Sequence, residues 1–173
     1  MQRQQQGHAI LELPLGIWLA LLFFMLPFIC YATLAYRAAF FYFAVKDACN
    51  HACRASSFTK AKAISAEIFA HDVASFTGIE NATIQVFAVE QPLPPANQPQ
   101  APVPPPTQVS ASPLSQVQTD TDAYYIQING YATVQPLITA GGWMGLNIPG
   151  MTGPYSLPII CKGYVENPQG LLQ

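Results

Sequence analysis

From Leu13 to Tyr36 the chain runs for 24 residues without one charged side chain. At helical rise such a run reaches ~36 Å, more than the ~30 Å hydrocarbon thickness of a bilayer. Its apolar residues fall on every side of the helix rather than along one stripe, which a helix on the surface of a soluble domain does not show. Burying it as a core helix would take a larger apolar shell than 173 residues supply. The run therefore predicts a membrane span. Pro14 falls near the first turn, where a missing N–H costs little, and Pro27 lies mid-span, where a bend is expected. No small-residue cleavage site follows before Arg37, so the span is expected to stay as an anchor.

Only 9% of residues are charged and 51% are hydrophobic, the balance of a membrane-anchored protein with one modest domain beyond its span. A net charge of −2 and the lack of a basic patch interleaved with aromatics give no electrostatic case for nucleic acid.

Glu12 stands at the threshold of the apolar run, where a carboxylate is costly unless a positive charge meets it. The arrangement Gly7, His8-Ala9-Ile10-Leu11-Glu12 and then a long apolar run resembles the processing site of type IV pilin-like precursors. The resemblance implies a short leader, residues 1–7, removed by a prepilin peptidase that cuts after Gly7. His8 then becomes the N-terminus, and Glu12 pairs with the α-amine of a neighbouring subunit, so that both charges are neutralised within the membrane.

Past Arg37 the apolar character continues through Phe40-Phe41-Tyr42-Phe43-Ala44-Val45, an aromatic belt for the membrane interface. It then becomes small and polar, ending Ala52-Cys53-Arg54-Ala55-Ser56. With the N-terminal site, this stretch is similar to the TadE/TadG-like group of pilus-assembly proteins over residues 7–90. That likeness implies a single-pass protein of the cytoplasmic (inner) membrane, its N-terminus inside and its C-terminal domain outside, either filament-associated or resident in the membrane. The implied partners are other pilin-like or Tad-type assembly subunits. The basic residues point the other way: Arg3 precedes the span, while Arg37, Lys46 and Arg54 follow it, which by the positive-inside rule favours a cytoplasmic C-terminus.

Residues 8–57 are thus expected to form the transmembrane and stalk helix, and residues 58–78 an amphipathic helix. Ile64, Ile68, Phe69, Val73 and Phe76 recur at helical steps from about Thr59 to Phe76, with Ser57 as a cap and Gly78 as a stop. Residues 79–173 read as a β-rich region, with strands at Thr83–Glu90, Tyr124–Val134 and Ile159–Glu166. Between the first two, residues 91–119 hold nine prolines and no charge, the composition of an extended linker or an insertion between paired strands. Thr139–Pro154 is a glycine-rich loop carrying Trp143, Met144, Leu146, Ile148 and Met151, without a phosphate-cradling pattern.

The expected fold is α+β: a long N-terminal transmembrane helix, then a second amphipathic helix packed on a small antiparallel β-sheet. Cys49 and Cys53 share a helical face at i, i+4 while His51 points elsewhere, and no zinc-finger spacing is present, so no metal is expected. In an exported domain Cys161 is a candidate disulfide partner for Cys49 or Cys53, the alternative being free thiols at packing positions. Cys30 packs within the span. His71, Asp72 and Ser75 share one helix and cannot form a catalytic relay around a substrate pocket, and no paired carboxylates, nucleophile elbow or cofactor fingerprint appears. No enzymatic activity, cofactor or small-molecule substrate is expected. The sequence points to a non-enzymatic assembly protein; the competing expectation is a signal-anchored extracytoplasmic binding module that is never processed.

Overall fold

The computed structural model describes residues 3–94, 104–137 and 153–173, with side chains described from Leu13 onward. Two α-helices, α1 (Arg3–Cys53) and α2 (Phe58–Ala74), precede four strands, β1 (Ile79–Pro92), β2 (Gln108–Ser110), β3 (Asp122–Val134) and β4 (Tyr155–Tyr164), and a 3-10 turn at Pro168–Leu172. The strands form one antiparallel sheet in the order β2-β1-β3-β4. The chain is α+β, with one N-terminal helix long and apolar enough to cross a membrane. It divides into two compact units, residues 1–36 with 135–155, and residues 37–134 with 156–173.

In the first unit most of α1 is exposed: Leu13, Trp18, Leu22, Phe23, Phe24 and Phe28 all lie open, while Cys30 is buried. Only 6% of its most apolar window is buried, which no core helix of a soluble protein shows. Pro14 and Pro27 both lie inside the helix without ending it.

In the second unit the later part of α1 lies on the sheet. Phe41, Ala44, Val45, Ala48, Cys49 and Ala52 are all at most 3% exposed. Their steps of three and four residues place them on one face, and small residues dominate it. The partner surface is made by alternate residues of β3, Tyr124, Ile126, Ile128 and Ala132, with Val86 and Ala88 of β1. A Cβ built on Gly130 of β3 would lie 2.6 Å from Cγ2 of Val45 and 3.3 Å from Phe41. Glycine there is a condition for the helix to seat.

The second helix joins the same core through Phe58, Ala61, Ser65 and Phe69. Its apolar stripe is thus centred between the expected Ile64 and Ile68, both half-buried, and Phe69. Ser57 caps it, its hydroxyl accepting from the Lys60 amide at 3.3 Å. Two aromatic pairs tie α2 and the turn after it to α1: Phe40 stacks on Phe76 at 3.7 Å between centroids, and Phe41 meets Phe69 edge-on at 5.9 Å. Gly78 follows with φ +86°, a backbone that favours glycine, and opens the turn into β1.

Several sequence-based boundaries move. The stalk helix stops at Cys53 rather than reaching residue 57. β1 begins at Ile79, four residues before the expected strand, because a bulge between Glu80 and Thr83 absorbs one extra residue, with Asn81 at φ 50°. The bulge brings Ile79 into phase with Ile84, Val86 and Ala88, which otherwise would face the opposite side. β4 spans Tyr155–Tyr164, so Glu166 lies beyond it.

The proline-rich stretch 91–119 is corrected in part. Its residues 95–103 lie outside the described residues, but Gln108–Ser110 pair with Ala88–Glu90 as a strand. Leu114 is buried, its amide donating to the Leu171 carbonyl at 2.8 Å. One leucine among the prolines suffices to pin that end of the segment to the core. Residues 139–152 of the glycine-rich loop also lie outside the described residues.

If Gly130 sets the approach of α1, Gly130→Ala is expected to destabilise the domain by about 1–3 kcal/mol, the usual cost of overpacking a dense core. Val45→Ala in the same chain should recover part of that loss. A double-mutant cycle on thermal unfolding checks it; additive losses would show that the two groups do not compete for one space.

Candidate functional site

Three features carry functional potential: the apolar helix, a group of thiols beneath the sheet-packed part of α1, and the uncovered face of the sheet. Gly7, His8 and Glu12 all lie within α1, ahead of its exposed apolar run from Leu13. An open apolar groove of about 240 Å³ on that run is lined by Leu22, Met25, Leu26, Ile29 and Cys30.

The expected cysteines do converge. Cys49 and Cys53, one turn apart on α1, belong to the buried core against which Cys161 of β4 packs. The structure holds all of them as free thiols. Cys49 Sγ also lies 3.8 Å from the Ile126 carbonyl oxygen. Space for the sulfurs comes from Gly163, whose missing Cβ would sit 2.4 Å from Cys53 Sγ and 3.4 Å from Cys49 Sγ. The neighbouring Cys53 thiol, and then burial, pushes the Cys49 thiol up, and the Cys49 thiol in turn draws Cys53 down. Cys30 belongs to the other unit. No group of three or more His, Cys, Asp or Glu suited to a metal ion occurs among the described residues.

His71 Nδ1 lies 3.3 Å from Asp72 Oδ1, but the Ser75 hydroxyl donates to the Asp72 backbone carbonyl at 2.7 Å. That hydroxyl serves the helix end rather than the imidazole.

On the face of the sheet away from the helices, Tyr125 meets Tyr164 edge-on at 5.8 Å, and Tyr131, Ile160 and Tyr164 are exposed. Gln127 and Asn129 share a 2.8 Å hydrogen bond on the same face. Antiparallel sheets commonly leave one face to solvent, yet this one presents aromatics, the residues that anchor protein contacts.

Sequence reasoning missed the polar group where β1 ends and β3 begins. Glu90 pairs with Tyr124, and Pro92 with Asp122, which puts the two carboxylates diagonally across the strands. Burial and then the Asp122 charge hold the Glu90 carboxyl above its ordinary value, while the Tyr124 hydroxyl accepts from the Gln118 amide at 2.7 Å. The signal was a glutamate on the inward parity of a strand.

Neither a protein-family model, nor a curated protein, nor a solved structure matches this chain.

Glu90 favours its neutral form in the folded state. Its contribution to stability is whole below the unfolded carboxyl range and is lost as pH rises through the raised folded value. Glu90→Gln is therefore expected to raise the melting temperature at pH ~7 and to lose that advantage below pH ~4, where both side chains are neutral. Melts of the two chains at both pH values test this; an equal difference at both would assign the effect to packing.

Proposed function

We propose that this chain is a single-span membrane protein of the pilin-like, TadE/TadG-like kind, acting without catalysis in the assembly of a pilus or secretion-type filament. The observation that carries the reading is the juxtaposition on one helix of Gly7, Glu12 and an apolar run whose large side chains stand exposed all round. A bilayer covers such a surface; a water-facing helix of this composition would aggregate. Glu12, five residues past Gly7, gives no benefit to an isolated span, but its carboxylate suits the new α-amine of a neighbour cut after Gly7. The α-helical sequence continues unbroken from this run into the part buried on the sheet, which supports an anchor and a folded domain sharing one helix.

On this reading the domain lies outside the cytoplasm, the anchor sits in the cytoplasmic membrane, and the partners are other pilin-like or Tad-type subunits. The tyrosine-bearing sheet face is the surface offered to them. Arg54 lies 3.8 Å from Glu166 and Lys46 stands 5.9 Å over the Tyr42 ring. Two of the basic residues that oppose this orientation are thus engaged by the domain itself.

Processing is tested by mass. In the native host the wild-type chain is expected to begin at His8, and Gly7→Leu to retain the leader while still inserting. Equal masses for the two would leave an unprocessed, signal-anchored binding module as the better account.

Glu12→Ala separates assembly from insertion. Removing a carboxylate near the membrane edge, a cost of up to about 3 kcal/mol at the bilayer centre and less at its border, can only favour residence of the lone span. Abundance and cleavage are expected to stay normal while co-purification with pilin-like subunits falls. Unchanged co-purification would reduce Glu12 to a boundary marker.

A further inference from the structure

The sheet has an edge that its own strands leave open. β1 pairs with β3 along nearly its whole length, but on its other side β2 covers only Ala88, Val89 and Glu90. The Glu90 carbonyl accepts from the Thr107 amide at 2.9 Å on that side. By the two-residue repeat of a strand, the peptide groups of Ala88, Val86 and Ile84 turn the same way. Ala88 lies opposite Ser110, but no strand among the described residues pairs with Val86 or Ile84 on that side. Unpaired N–H and C=O groups in a row are a template for another chain.

Sheets blunt such edges with bulges, charges or a covering helix. Here the bulge at Asn81 comes before Thr83 and leaves the later residues in regular register. The helix does not close the gap either. An open groove of about 430 Å³ is lined by Lys62 and Ala66 of α2, by residues 84–87 of β1 and by Ala111 beyond β2. Lys62 and Ala66, four residues apart, share one face of the helix. Ala66 and Ala111 are small, which leaves width for an added backbone. Lys62 is exposed and forms no ion pair among the described residues.

We propose that this groove binds one extended strand of a partner protein, which adds to the β1 edge beside β2 and brings a carboxylate to Lys62. The backbone dictates the form of the occupant. Ile84 and Val86 present donor and acceptor together at a repeat of ~7 Å, which another extended chain matches and a helix, with its own peptide groups already bonded, does not. The lysine dictates its charge, since a cation beside an apolar slot favours a carboxylate over a neutral or basic residue. Residues 84–87 span ~13 Å, enough to hold four or five residues of the partner. Main-chain bonds then supply affinity, and the side chains at alternate positions supply specificity. This edge is separate from the tyrosine-bearing face, and its use does not rest on the pilin-like reading.

The test uses the full chain in detergent and a short fluorescein-labelled peptide of alternating threonine and valine with a central aspartate. Binding is read by fluorescence anisotropy, and exchange of single amide hydrogens by NMR. In the chain alone the Ile84 and Val86 amides are expected to exchange faster than those of Gln85 and Phe87, which turn to β3; bound peptide should slow the first pair. Lys62→Glu is expected to weaken the aspartate peptide about tenfold and to favour the same peptide with lysine in the aspartate's place. N-methylation of the peptide's edge-facing amides should abolish binding, as should Ala66→Phe in a chain whose melting temperature is unchanged. No saturation up to about 1 mM peptide, binding indifferent to N-methylation or to Ala66→Phe, or a Lys62→Glu loss that the lysine peptide does not restore would each overturn the proposal. So would slow exchange at Ile84 and Val86 before peptide is added, which would mean that the chain itself or a second copy already closes the edge.

Discussion

How near a helix can come to a sheet is limited by the side chains between them, and here almost everything in the second unit follows from a close approach. α1 presents Ala44, Ala48, Cys49 and Ala52 downward, and the strands answer with Gly130 and Gly163 where Val45, Phe41 and Cys53 need room. Small residues on the helix and absent Cβ atoms on the strands let dispersion contacts accumulate over the whole interface. The second helix then packs beside the first through paired rings, and the turn after β4 closes over the α1–α2 junction, with Gly170 beneath the Ser56 carbonyl.

The same helix obeys two different rules along its length. Up to about Tyr36 its side chains are mostly large, apolar and open, and from Phe41 onward a single face of small residues is buried. No change in helical propensity marks the boundary. What changes is the environment each part requires, an apolar medium for the first and a complementary protein surface for the second.

Much of this was legible in the sequence. The charge-free run from Leu13, the cap at Ser57 and the alternation of Tyr124, Ile126 and Ile128 are local patterns, and each appears as an element of the expected type, whereas the second helix ends at Ala74 with Ser75 as its cap, short of the expected stop at Gly78. What escaped depended on partners distant in the chain. Gly130 takes its role from Val45, far away in the chain, and Leu114 sits within proline-rich composition while its partner, Leu171, lies at the other end of the domain. The bulge at Asn81 was written in the odd phase of Ile79 against Ile84, a signal that only a register can interpret. Among the site residues, the convergence of Cys49 and Cys53 with Cys161 could be anticipated in outline, but the seat that Gly163 gives to both helix sulfurs could not.

The sheet-packed face of α1 also sets an order of events in synthesis. Residues 41–53 emerge early, while the strands they rest on are translated far later: β3 near residue 130 and β4 near residue 160. The Cys53 carbonyl accepts from the Glu166 amide, and the Val165 amide donates to Tyr124, so the closing contacts join the early helix to some of the latest residues described. Contacts of such long sequence separation form slowly. A nascent chain therefore carries an uncovered strip of Ala, Cys and Phe for most of its translation, and whatever shields that strip in the interval, a chaperone or an adjacent apolar surface, governs how many chains reach the folded state.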